Sequence, residues 1–346
     1  MTLPLTTSYA PMEALRIPHL PTGPEWQFEP KWDGFRCLAF RDGKSIELRS
    51  KNGLPLERYF PELAAALLGL KPNAYVLDGE IVVPVNGQLS FEALLLRIHP
   101  SANRVNTLAA QTPAIFVVFD LLTDEKRRPL NDLPLLERRA KLDAFARKYF
   151  KAQHDVVLSP MTRDRDTAQG WFSHVGSGMD GVIAKRLDLP YESGNRNGMV
   201  KVKRVKSADC VVGGFRYGTN SKVVGSLLLG LYDDNGLLNH VGFTSTFKAA
   251  ERPALTAKVE PLIKPPGFTG NAPGGPSRWN TARSADWQPL KSTLVVEVQY
   301  DHFTGGRFRH GTRFLRWRPD KAPKQCLLSQ VEHDEKGASL ELIGAS

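Results

Sequence analysis

Apolar positions in residues 1–205 switch between two periods. Short runs at residues 46–49, 75–83, 115–122 and 181–185 are apolar throughout or at every second position, and turn residues bound each one. These predict core strands. Between them lie stretches with helical spacing. Pro61-Glu62 opens ELAAALLGL, and Pro134 opens LLERRAKLDAFARKYF, in which Leu135, Leu142, Phe145 and Tyr149 share a face. The alternation predicts an α+β or mixed α/β domain over residues 1–205.

From residue 206 to 346 the pattern changes to short strands separated by Gly, Asn and Pro. In GSLLLGLYDDNGLLNHVGFTSTF (225–247), Asn235-Gly236 stands between two apolar runs and predicts a type I′ hairpin, because both residues tolerate positive φ. Residues 294–300 and 314–317 predict further strands. The segment 265–276 (PPGFTGNAPGGP) is too rich in Pro and Gly for regular structure and reads as a long mobile loop. Several short strands within about 140 residues suit an all-β barrel of the OB type, and periodicity alone also allows other small β folds.

Charge narrows the partner. With 46 Lys+Arg against 36 Asp+Glu, the net charge of +10 favours a polyanion, nucleic acid before an acidic membrane surface. No run approaches the ~18 apolar residues of a membrane span, and MTLPLTTSYA lacks the features of an export signal. A soluble, cytoplasmic protein without a membrane partner is expected. The three cysteines, Cys37, Cys210 and Cys326, form no CxxC pair, which argues against both a disulfide framework and a cysteine zinc site.

The stretch Glu29-Pro30-Lys31-Trp32-Asp33-Gly34-Phe35-Arg36 carries the first chemical signal. A lysine is nucleophilic only as the neutral amine, and neighbouring cations or a metal lower its pKa. An isolated KxDG is more often a surface lysine before a turn. Asp78 and Glu80 stand two apart, hence on one strand face, where carboxylates near phosphate suit Mg²⁺. Lys201 and Lys203 in VKVK alternate onto one face, and two such ammonium groups call for an anion. Alone, that run reads as a solvated edge strand. Arg307, Arg309, Arg313, Arg316 and Arg318 lie among Phe308, Phe314 and Trp317 with no acid between them, a pattern that suits nucleic acid as well as a plain strand with an arginine face.

In order, KWDGFR (31–36), RSKNG (49–53), LDGEIV (77–82), VVFDLL (117–122), DGVIAKR (180–186), VKVK (200–203) and RFRHGTRFLRWRPDK (307–321) resemble the ATP-dependent DNA ligases, in particular the short two-domain bacterial type called ligase C. The resemblance spans roughly residues 29–321. It implies an ATP-grasp-like nucleotidyltransferase (adenylation) domain followed by an OB-fold domain, with ATP as nucleotide, Mg²⁺ or Mn²⁺ as metal, and nicked duplex DNA as partner. Repair is the implied setting, with repair proteins as further partners and a monomer as the working form.

Residue by residue, the resemblance makes Lys31 the amine that attacks the α-phosphate of ATP. It places Glu29 at the adenine, Arg36 at ribose or phosphate, Phe119 on the base, and Glu80 at ribose and metal. Lys185, Lys201 and Lys203 are placed at the α-phosphate, where they would also depress the pKa of Lys31. Asp180 stands where the family has Glu and is expected at the metal. Lys51 stands where the family has Arg and is expected at the 5′-phosphate of the nick, without the bidentate fork. Arg318 of R-x-D-K is expected to orient pyrophosphate, with Arg309 and Arg316 on DNA. Two alternatives stay open at this stage. One is an RNA ligase or GTP-using capping enzyme, and the other is a non-catalytic OB protein with a decayed nucleotide pocket.

Overall fold

A computed structural model describes residues 2–150, 154–173, 178–274, 286–332 and 340–343. The chain divides into two compact units, Met1–Arg204 with Glu335–Ser346, and Val205–Asp334.

The first unit runs β1 (Trp26–Trp32), β2 (Phe35–Asp42), β3 (Ser45–Ser50), α1 (Pro61–Gly69), β4 (Ala74–Val82), β5 (Ile115–Thr123), α2 (Leu135–Tyr149), β6 (Val156–Leu158), β7 (Met179–Arg186) and β8 (Met199–Lys203). Strands β3-β2-β4-β5-β6 form a five-stranded sheet, antiparallel except for β5 with β6. β5 is buried along its whole length, which explains its continuous apolar run. One face of this sheet packs Leu77, Phe116 and Val118 against Leu63 and Leu67 of α1 and Leu142 and Phe145 of α2. Pro61 and Pro134 sit at the helix starts, where a missing N–H costs nothing.

The other face carries Leu38, Phe40, Val76 and Leu122 toward Tyr191 and Met199. Met199 belongs to a second sheet, in which Leu15–Arg16, β8, β7 and β1 lie side by side. Strand alternation gives that sheet two characters. Phe28, Val182, Ala184, Val200 and Val202 cover its outer face, packed on Ala168. Its inner face presents Glu29, Lys31, Ile183, Lys185 and Lys201 to a cleft shared with Glu80 and Phe119 of the first sheet.

The second unit contains β9 (Lys206–Tyr217), β10 (Val224–Tyr232), β11 (Leu238–Thr244), α3 (Arg252–Val259), β12 (Val295–Tyr300) and β13 (Arg313–Trp317). Its sheet runs β11-β10-β9-β12-β13, antiparallel throughout. The two edges meet: Thr244 and Thr312 form a bridge, and Thr312 donates its amide to the Phe243 carbonyl at 3.0 Å. That contact joins the two edges at one point, in keeping with the barrel expected of an OB fold.

The β10–β11 hairpin forms where Asn235-Gly236 predicted it, but its turn is different. Only Gly236 has positive φ (73°), and the loop spans residues 233–237. The Asp233 carboxylate accepts from the amides of Asn235 and Leu237 and so organises the wider turn. Residues 265–274 lack helix or strand, as composition predicted, and 275–276 lie outside the described residues.

Candidate active site

The inner face of the second sheet and the facing strands of the first enclose a cleft of about 190 Å³. Lys31 is near the end of β1. Gly34 follows two residues after this strand, and a Cβ there would collide with the Ile81 carbonyl oxygen, so the Asp33-Gly34 turn carries a residue without one.

Lys31 Nζ lies 2.8 Å from Asp180 Oδ1, and Lys203 Nζ lies 2.8 Å from Asp180 Oδ2. One carboxylate thus bridges two lysines on different strands. Regular alternation would put Asp180 on the outer face with Val182. A register shift between Met179 and Gly181 breaks the pattern beside it. Gly181 lies opposite both Lys31 and Lys203, and a Cβ there would collide with the Val202 carbonyl oxygen.

These contacts correct the expected electrostatics of Lys31. Burial favours the neutral amine, but Asp180, Glu80 and Asp33 outweigh it, and the ammonium is held above its usual pKa. The lysines expected to depress it do not prevail, because Lys203 is spent on the same Asp180 carboxylate. The depressed lysine is instead Lys201, lowered by burial and by Lys31, Lys203 and Lys51.

Burial pushes the Glu80 carboxyl up to about 7, against the pull of Lys31 and Arg36. Glu80 and Asp180 offer hard oxygen donors, and a divalent cation would relieve the penalty on Glu80, so this donor set fits Mg²⁺ or Mn²⁺. Asp78 is engaged otherwise. It is fully buried, accepts from Nε and Nη2 of Arg36 at 2.6 Å each, and accepts from the Tyr191 hydroxyl at 2.6 Å. Arg36 also lies over the Phe119 ring, 4.4 Å from its centroid, with Lys185 Nζ at 4.6 Å.

Glu29 is 2% exposed. Lys185 Nζ approaches its Oε2 at 2.7 Å, and Gln27 Nε2 donates to its Oε1 at 2.8 Å. Lys51 lines the cleft and pairs with Glu13 at 3.0 Å, and Arg196 donates to the other Glu13 oxygen at 2.6 Å. Eight expected residues, Glu29, Lys31, Arg36, Lys51, Glu80, Phe119, Lys185 and Lys201, therefore share one cleft, while Asp180 joins it through Lys31 and Lys203 through Asp180.

Arg309, Arg316 and Arg318 belong to the second unit. The acid-free reading of their segment changes in three dimensions. Arg316 pairs with Glu297 at 2.6 Å, its register partner on β12, and Arg318 is held by Asp209 of β9 and by Asp320. Asp209 also takes Lys321 at 2.7 Å. Sequence reasoning missed Gln27, Glu13, Tyr191 and Asp209. Only Gln27 carried a local signal, its i, i+2, i+4 spacing with Glu29 and Lys31.

The ATP dependent DNA ligase domain matches residues 13–203, and the ATP dependent DNA ligase C terminal region matches residues 220–321. DNA ligase C2 of Mycolicibacterium smegmatis is 43% identical over 360 residues, covering 98% of this chain and 99% of that protein.

The chain belongs to the ATP-dependent DNA ligases.

A more distant relative of the ligase is the multifunctional non-homologous end joining protein LigD of Mycobacterium bovis, 31% identical over 88% of this chain and 37% of that protein. Among solved structures, Pmar-Lig_PreS3 superposes with a TM-score of 0.60 at 19% identity, over 85% of this chain and 63% of that one, which supports the fold. The matched family sets aside the RNA-ligase and capping alternatives for this ligase. No helix among the described residues is long and apolar enough to cross a membrane.

Proposed function

We propose that this ligase seals 5′-phosphate/3′-hydroxyl nicks in duplex DNA, in repair, through a covalent lysyl-AMP formed on Lys31. The observation that carries this reading is the placement of Lys31, paired with Asp180, in a cleft lined by Glu29, Glu80 and the cations Arg36, Lys51, Lys185 and Lys201. The proton of Lys31 leaves by way of Asp180 Oδ1, the acceptor 2.8 Å away. The Nζ–phosphorus bond forms as the bond from the α-phosphorus to the bridging oxygen breaks, and pyrophosphate departs. The nick 5′-phosphate then takes AMP from Lys31, and the 3′-hydroxyl displaces AMP to join the strands.

Lys185 and Lys201 stabilise charge on the transferring phosphoryl group, since such catalysis rests on placed charge and in-line alignment. Glu29 takes the adenine, Phe119 stacks on it and Arg36 faces the sugar. Lys51 grips the 5′-phosphate. Glu80 and Asp180 would hold a divalent cation, which when bound would neutralise charge on the polyphosphate. The first unit acts as the adenylation domain and Val205–Asp334 as the OB domain, which ends short of the expected residue 346 because Glu335–Ser346 group with the first unit; in the OB domain Arg318 orients pyrophosphate and Arg309 and Arg316 meet DNA.

Labelling with α-phosphate-tagged ATP beside GTP, followed by sealing of nicked DNA beside nicked RNA, tests this reading. Label from ATP and sealing of DNA are expected. Label from GTP alone, or sealing of RNA alone, contradicts it.

A further inference from the structure

Strand β1 lines up Gln27, Glu29 and Lys31 on one face. Gln27 has no exposed surface and lies opposite Lys185 across the β1–β7 pair. Its Nε2 donates to Glu29 Oε1 at 2.8 Å, while Lys185 Nζ holds Glu29 Oε2 at 2.7 Å. Arg139 Nη1 stands 3.9 Å from Oε1. Each carboxylate oxygen therefore has its own anchor, and the plane of the group is fixed.

The Gln27 amide is oriented by this neighbour, because its oxygen facing the carboxylate would meet a second acceptor. The outcome leaves Gln27 Oε1 buried with no hydrogen-bond partner among the described residues. A buried unpaired carbonyl is costly, and a methionine of the same length would fill the space without that cost. What the amide adds is one oriented donor to Glu29.

We propose that Gln27 is a positioning residue for nucleobase selection: it fixes the Glu29 carboxylate so that the cleft accepts a 6-amino purine and rejects a 6-oxo purine. The inference rests on the reading of Glu29 as the residue that faces adenine. A carboxylate only accepts hydrogen bonds, so a 6-amino group satisfies it and a 6-oxo group sets acceptor against acceptor. Glu29 lines the cleft directly. With Gln27 replaced, Glu29 Oε1 keeps only Arg139 Nη1 at 3.9 Å, outside hydrogen-bond reach, and the carboxylate can turn about its Lys185 contact out of the plane of the base.

The test measures enzyme labelling with ATP, inosine triphosphate (6-oxo) and purine riboside triphosphate (no 6-substituent) in the parent, Gln27→Met and Glu29→Gln. Preferences are ratios between nucleotides on one protein, so they are independent of the folded fraction. The parent is expected to prefer ATP over purine riboside triphosphate by roughly 10-fold or more, the worth of a hydrogen bond to a charged group. In Gln27→Met, KM for ATP rises and kcat changes little. The preference for ATP over both analogues shrinks several-fold, and in Glu29→Gln it is lost. Full preference in Gln27→Met together with loss in Glu29→Gln overturns the role of Gln27. A parent that treats ATP and purine riboside triphosphate alike overturns the reading of Glu29 itself.

Discussion

Lys31 and Asp180 meet at 2.8 Å, so the nucleophile of the proposed reaction rests as an ion pair with a carboxylate that also holds Lys203. The pair explains how a lysine among other lysines keeps its proton until substrate arrives. It also gives the reaction a pH dependence with a definite sign. Because the Lys31 ammonium is held above its usual pKa, little neutral amine exists near pH 7, and enzyme-AMP formation should climb as pH rises. Asp180→Asn removes the charge that raises it, so the climb should move to lower pH. The maximal rate should still fall by about 10²-fold or more as a charge-placing group is lost. Asp180→Glu should retain most activity. A pH–rate profile of single-turnover labelling checks all three outcomes, and an unshifted profile in Asp180→Asn contradicts the pairing.

Glu80 carries a separate signature in stability. Its folded pKa of about 7 exceeds the ordinary carboxylate value, so between roughly pH 4.5 and 7 the folded state binds more protons than the unfolded one. The sign follows: without metal or ATP, Glu80 costs stability progressively as pH rises through that window. Glu80→Gln should raise stability at pH 8 by ~1–2 kcal/mol and change it little at pH 4.5, while labelling collapses. Denaturant unfolding in chelator at both pH values is the check.

Glu13 occupies Lys51 and Arg196 before any DNA is present. An exposed pair of this kind is worth less than ~1 kcal/mol to stability, so Glu13→Gln should melt near the parent temperature. Binding to a 5′-phosphorylated nick should tighten a few-fold, and the salt slope should steepen by up to about one phosphate contact. Unchanged binding would remove Lys51 from the phosphate site.

Much of the scaffold was legible because its residues repeat a local period. The runs at 75–83 and 115–122 became β4 and β5 within a residue at either end, and Pro134 marked the start of α2. Lys201 and Lys203 share an inner face as their spacing implied. What local pattern did not carry was pairing across the sheets. Asp209 stands 109 positions from Arg318, and Glu297 19 from Arg316, so a segment without acids in sequence is paired with acids in space. The bulge that turns Asp180 inward depends on Gly181 packing under Val202, and Asp180 spacing alone points the other way.

The proposed role of Arg318 is in the first step of the reaction. Asp209 and Asp320 fix its guanidinium, accepting from Nη1 and from Nε and Nη2 respectively. Arg318→Ala should lower enzyme-AMP formation strongly and the sealing of pre-adenylated nicks much less. Equal damage to both half-reactions, with a reduced salt slope, would make this segment a DNA-binding face.

The central claim is that Lys31 carries the AMP. The most direct measurement compares the parent with Lys31→Ala in two half-reactions, labelling from α-phosphate-tagged ATP and sealing of a pre-adenylated nick. The variant should take no label and seal no ordinary nick with ATP, yet keep part of the pre-adenylated reaction, since that step needs no lysine nucleophile. Normal labelling of Lys31→Ala would contradict the account.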